Sequence, residues 1–185
     1  YVHVDNDAPT ATYMLKQFTS GQTVAKATSA HAEKAYSADM YMRNPNADWY
    51  IEVNLTDTSG IDGDSITVND TGTGFQKESY TDSNGKTSYY VYIPITSTSG
   101  SASYKLYATD NDATKHNIQI TFSLNIDNNA PTVTSLVNNT GEIAYTKLRN
   151  SNYGVTFGAT ATDTGSGFSK AAYYFLRDAD GTKTV

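Results

Sequence analysis

Apolar and polar positions alternate with a period of two along much of the chain, the pattern of strands that turn one face to a core and the other to water. Trp49, Ile51, Val53 and Leu55 fall on one side, Tyr50, Glu52 and Asn54 on the other. Ala102, Tyr104, Leu106 and Ala108 form a second such series, and Ile118, Ile120, Phe122, Leu124 and Ile126 a third. Tyr153, Val155, Phe157, Ala159 and Ala161 form a fourth. Thr81 to Ile93, "TDSNGKTSYYVYI", places Asn84-Gly85 in a tight turn where both residues take positive φ, which makes a hairpin. One segment departs from the pattern. Thr23 to Tyr36, "TVAKATSAHAEKAY", is rich in Ala and compatible with a short helix; it reads as an insertion over about residues 20–34.

The series belong to a repeat. Val2 to Thr12, "VHVDNDAPTAT", recurs as Leu124 to Thr134, "LNIDNNAPTVT". Downstream come "KAYSADMYMRN" (Lys34 to Asn44) in one copy and "IAYTKLRN" (Ile143 to Asn150) in the other. After an alternating strand, each copy ends in "LTDTSG" (Leu55 to Gly60) or "ATDTGSG" (Ala161 to Gly167). Three landmarks in one order predict a tandem array. Residues 1–8 read as the closing strand of a preceding repeat plus a junction, 9–129 as a complete unit, and 130–185 as the front of a further one. Short strands, frequent turns and a period of about 120 residues predict an all-β chain of tandem immunoglobulin-like β-sandwiches, the last incomplete.

"VDNDAPT" and "IDNNAPT" resemble the start signal of bacterial immunoglobulin-like repeats. Tyr104 to Thr132, "YKLYATDNDATKHNIQITFSLNIDNNAPT", resembles the closing pair of strands of such a unit. The resemblance implies a non-enzymatic piece of a large exported protein, extracellular or on the cell surface, serving as stalk, spacer or adhesin. Its partners would be neighbouring repeats of the same chain and a host or cell-surface glycan or protein. The layout is also similar to that of cadherin repeats, whose Asp/Asn-rich junctions hold calcium.

Composition narrows the classes. A formal net charge of −6 and a pI near 4.9 argue against nucleic acid and anionic membranes, because nothing neutralises phosphates. The absence of Cys removes disulfides and thiol chemistry. No apolar run approaches the roughly 20 residues of a spanning helix, and Tyr1-Val2-His3-Val4 reads as the middle of a longer chain rather than a signal peptide.

Candidate chemistry begins with Asp163-Thr164-Gly165-Ser166, which spells the signature of an aspartic protease. Such an enzyme needs two carboxylates about 3 Å apart sharing a proton, and the repeat puts the matching Asp57 in another unit. A turn, with the carboxylate bonding backbone amides, is the expected role. The acids have a second use. Immunoglobulin-like topology brings Asp5 and Asp7 of the junction, Asp57, and Asp110 and Asp112 to one end of the complete unit. Asp127 and Asp163 are the poorer set at the next junction. Calcium, which takes six to eight oxygen ligands, would neutralise such a cluster; alternatively each Asp closes its own loop.

Three weaker constellations remain. His3, His31 and His116 are expected to be solvated. Lys16, Asn125 and Glu52 are candidates for an autocatalytic isopeptide staple, although alternation turns Asn125 and Glu52 outward. Tyr89, Tyr90, Tyr92, Tyr104 and Tyr107 are candidates for a sugar-stacking face, which would make the chain a carbohydrate- or receptor-binding module. An accessory domain of a secreted hydrolase is a further alternative.

Overall fold

The computed structural model describes residues 5–138 and 157–167, which contain eleven strands and no helix. Contacts divide the chain into two units, residues 1–128 and 129–185. In the first, β1 (Thr10–Gln17), β2 (Ala32–Lys34), β4 (Trp49–Thr56), β6 (Gln76–Thr81) and β7 (Thr87–Pro94) form a five-stranded sheet in the order β2-β1-β4-β7-β6. A four-stranded sheet in the order β3-β9-β8-β5 comprises β3 (Met40–Met42), β5 (Ile61–Val68), β8 (Gly100–Asp110) and β9 (Asn117–Ile126).

The alternating residues make the two sheets a sandwich. Leu15, Ile51, Val53, Leu55, Val91 and Ile93 of one sheet meet Ile66, Val68, Leu106, Phe122 and Leu124 of the other in a single buried cluster. Each fully buried aliphatic or aromatic side chain contributes about 1.5–3 kcal/mol. That burial fixes the register, because a one-residue slip would carry the whole apolar set to the wrong face.

The outer face of the larger sheet departs from simple alternation. Tyr50 and Tyr92 point away from the main core yet are buried, in a second cluster with Phe18 and Val24. The Ala-rich insertion is responsible, and it is not helical. It leaves β1 at Phe18, folds over the outer face and returns as β2, which pairs antiparallel with β1 through Lys16↔Glu33. Its amides are held from the sheet: Val24 N donates to Gln76 Oε1 at 2.7 Å and Lys26 N to Glu78 Oε2 at 2.6 Å. A helix there would need those amides for its own ladder. Val24 is the one buried residue of the insertion, not part of a helical stripe.

The hairpin at residues 81–87 forms, with a different turn. Gly85 has a φ of 75° whereas Asn84 is not in the positive region. Gly85 N bonds Asp82 O, and Asp82 Oδ1 accepts from the amides of Asn84 and Lys86, so three residues span the turn. Adjacent positive φ values occur instead at Asn69 and Asp70, between the reciprocal Val68–Thr71 backbone bonds.

The chain enters and leaves the first unit at opposite poles. Thr10 lies across from Thr56, beside the β4–β5 turn and the β8–β9 loop; this is the N-terminal pole. Ile126 lies across from Gly100 and beside Met42, at the C-terminal pole. There β3 runs parallel to β9.

In the second unit β10 (Thr132–Asn138) pairs antiparallel with β11 (Phe157–Thr162). Its first rung repeats that of the first unit. Thr132 Oγ1 lies 3.1 Å from Thr162 Oγ1, as Thr10 Oγ1 lies 3.0 Å from Thr56 Oγ1. Tyr1 to Val4, expected as a closing strand, and Ile143 to Val155 of the repeat pattern lie outside the described residues.

Candidate functional site

The N-terminal pole gathers the segment ahead of β1, expected to be a junction, with the β4–β5 turn, the β6–β7 turn and the β8–β9 loop. Asp5 is buried and accepts two hydrogen bonds, from Thr58 Oγ1 at 2.6 Å and from Asp7 N at 3.0 Å. Those bonds, Thr58 foremost, lower its pKa from 3.8 to about 2. The junction is thereby fastened to the turn that follows β4.

Asp57 closes that turn. Its Oδ1 accepts from Ser59 N at 2.8 Å and Ser59 Oγ at 2.7 Å. Burial pushes its pKa up against these bonds, and the charges of Asp5 and Asp110 push the same way. Asp110 is fully buried and organises the β8–β9 loop: His116 Nδ1 lies 2.8 Å from Oδ2, and Oδ1 accepts from Asp112 N and His116 N, each at 3.2 Å. Lys115 Nζ bonds Asp110 O and pairs with Asp62, whose pKa it lowers.

The structure brings Asp5, Asp57 and Asp110 to one pole, as the topology predicts, with Asp5 and Asp110 close enough to act on Asp57. Asp7 is exposed and lines, with Thr10, Thr56, Asp57, Asp82 and Asn84, an open cleft of about 380 Å³. Asp112 enters the loop through its backbone. Among the described residues no three His, Asp or Glu side chains are grouped as metal ligands. Asp5 carries bonds from Thr58 and Asp7, Asp57 from Ser59, and Asp110 from Asp112 and His116, so most of these carboxylate oxygens are already hydrogen-bonded within the first unit.

Asp127 sits at the C-terminal pole, where its amide donates to Met42 O. Asp163 closes the turn after β11, its Oδ1 accepting from Gly165 N at 2.8 Å and Gly167 N at 3.1 Å, with Gly167 at a φ of 75°. The protease-like letters therefore spell the counterpart of the Asp57 turn.

Other candidates are dispersed or occupied. Tyr104 is in the core, Tyr92 is buried under the insertion, and Tyr90 stacks between Tyr80 and Tyr92 with Lys26 Nζ 5.1 Å from its centroid. Lys16 pairs with Glu52 at 2.9 Å and Glu33 at 3.3 Å, while Asn125 lies in the other sheet, bonded to Ser101 and Asp39; no isopeptide staple is arranged there. His116, expected to be solvated, is instead tied to Asp110, and His31 is exposed. His3 lies outside the described residues. Thr58, Asp82 and Lys115 escaped sequence reasoning. Asp82 carried a usable signal, since the turn before β7 falls at the same end as the turn after its antiparallel partner β4.

No protein-family model matches the chain, and comparison with curated proteins and with solved structures finds no match.

Proposed function

We propose that this chain is a non-enzymatic, extracellular spacer segment of tandem immunoglobulin-like units, part of a large bacterial surface or secreted protein with a stalk or adhesive role. One observation carries the reading: the first unit takes in the chain at one pole and releases it at the other. Units connected that way extend end to end. A pull on the two ends loads the parallel β3–β9 pair and the β1–β4 pair along the strands, so their hydrogen bonds must yield together. Recurrence of the Thr–Thr rung and of the Asp turn in the second unit supports the tandem arrangement. The junction acids act as hydrogen-bonded latches, and calcium stiffening of the same pole is the alternative.

Single-molecule extension between the chain ends tests this. Unfolding of the first unit should be one discrete event that releases about 400 Å of chain. Gradual lengthening at low force, with no such event, would overturn the spacer reading.

A further inference from the structure

Two copies of one segment flank the first unit: Asp5-Asn6-Asp7-Ala8-Pro9-Thr10 before it and Asp127-Asn128-Asn129-Ala130-Pro131-Thr132 after it. The unit grips the two copies by different residues. From the leading copy it holds the first position, Asp5, which accepts from Thr58 Oγ1 and Asp7 N. From the trailing copy it holds the backbone amide of Asp127, which donates to Met42 O, and the side chain at the second position. Asn128 Oδ1 accepts from Asn44 N at 2.8 Å, and Asn128 Nδ2 donates to Thr98 O at 2.7 Å.

The chemistry of each grip accounts for the order Asp-Asn. The first position receives two donors, which suits a carboxylate that only accepts. The second faces one N–H and one C=O, which requires a group that both accepts and donates, a carboxamide. The receiving surface is firm. Asn44 is fully buried, its Nδ2 bonding Ile95 O at 2.8 Å and Ser97 O at 2.9 Å, and its Oδ1 accepting from Asp48 N at 3.2 Å. In the leading copy the second position is Asn6, which is exposed and makes no side-chain hydrogen bond among the described residues.

We propose that the Asp-Asn-Xaa-Ala-Pro-Thr segment is a two-sided clasp, and that Asn6 is its unused half. The partner of Asn6 is the C-terminal pole of another sandwich unit built like this one, offering an N–H and a C=O placed as those of Asn44 and Thr98 are. The proposal rests on the tandem-repeat reading. It adds that such a segment is held by Asn to the unit it leaves, as at Asn128, and by Asp to the unit it enters, as at Asp5.

The test compares two chains. In the natural chain, Asn128→Ala should lower the melting temperature of the first unit by about 5 °C, from the loss of two hydrogen bonds at a well-ordered site, whereas Asn6→Ala should leave it unchanged. In a second chain, residues 1–126 are joined directly to Asp5 of a complete copy, so that Asp5 and Asn6 of that copy take the places of Asp127 and Asn128. Trp49→Phe in the trailing copy leaves the single Trp of the leading copy as its reporter. Asn6→Ala at the new junction should then lower the leading copy's melting temperature by as much as Asn128→Ala does in the natural chain. A silent Asn6→Ala at that junction, or a silent Asn128→Ala in the natural chain, overturns the clasp while leaving tandem units intact. Absence of any cooperative transition in the leading copy overturns the tandem reading itself.

Discussion

The hydroxyl of Thr58 sits 2.6 Å from Oδ2 of Asp5, a bond between residues 53 apart in sequence that fastens the segment ahead of β1 to the turn after β4. Folding lowers the pKa of Asp5 from 3.8 to about 2. Its contribution is therefore complete above the unfolded value and disappears as pH falls through the folded one. Thr58→Val, which keeps the shape and removes the donor, should lower the melting temperature by a few degrees at neutral pH. The difference from the parent should close as pH approaches 2, which thermal melts across an acid series would read directly.

Asp57 has the opposite sign. Burial, with Asp5 and Asp110 adding like charge, raises its pKa, so it favours folding at acid pH and opposes it as pH rises through the shifted value. Asp57→Asn keeps an oxygen for the Ser59 amide and removes the charge. It should raise the melting temperature at neutral pH, and the gain should fade on acidification. Millimolar calcium should leave parent and variant alike unmoved. A calcium-dependent rise seen in the parent and lost in Asp57→Asn would replace the hydrogen-bonded latch with a metal site.

Gly63 gives room to Tyr89. A Cβ on Gly63 would lie 2.1 Å from the Tyr89 hydroxyl oxygen and 2.5 Å from Cζ, so the ring must swing away. Gly63→Ala should cost about 1–3 kcal/mol, the usual penalty of overpacking, in urea unfolding of the first unit. Pairing it with Tyr89→Ala should recover much of the added loss; simple additivity would show that the two do not meet.

Phe18 anchors the insertion, meeting Tyr50 edge-on with ring centroids 5.5 Å apart. Phe18→Ala should cost about 3–5 kcal/mol. Tyr92 beneath it is buried, its hydroxyl has no partner among the described residues, and burial holds its pKa well above the usual phenol range, with Glu52 and Glu78 adding to the rise. The unit should accordingly lose stability once pH rises above about 10, where the unfolded phenol ionises. In Tyr92→Phe that alkaline loss should be smaller.

Much of the sandwich was legible because period-two alternation is a direct record of which side chains face the core. Ile51, Val53, Leu55, Phe122 and Leu124 read correctly for that reason. Tyr50 and Tyr92 did not, since their burial depends on a segment arriving from elsewhere, and alternation assigns their face to water. The Ala-rich insertion misled because composition records propensity and not the Gln76 and Glu78 side chains that claim its amides. Topology brought Asp5, Asp57 and Asp110 together correctly. What each carboxylate bonds depended on Thr58, Ser59 and His116, ordinary residues whose roles arise only from loop geometry.

The margins of the sheets bear on how units of this kind, in the array proposed above, would avoid tangling. Like units in one chain meet at high local concentration, and an unpaired strand margin in one invites pairing by the next. Here β2 and β3 are three residues each, β5 breaks register with β8 between Asp62 and Thr67, and β6 carries Lys77 and Glu78. Short, bulged and charged borders give a foreign strand little to copy, so the unit is steered toward its own partners rather than into strand exchange.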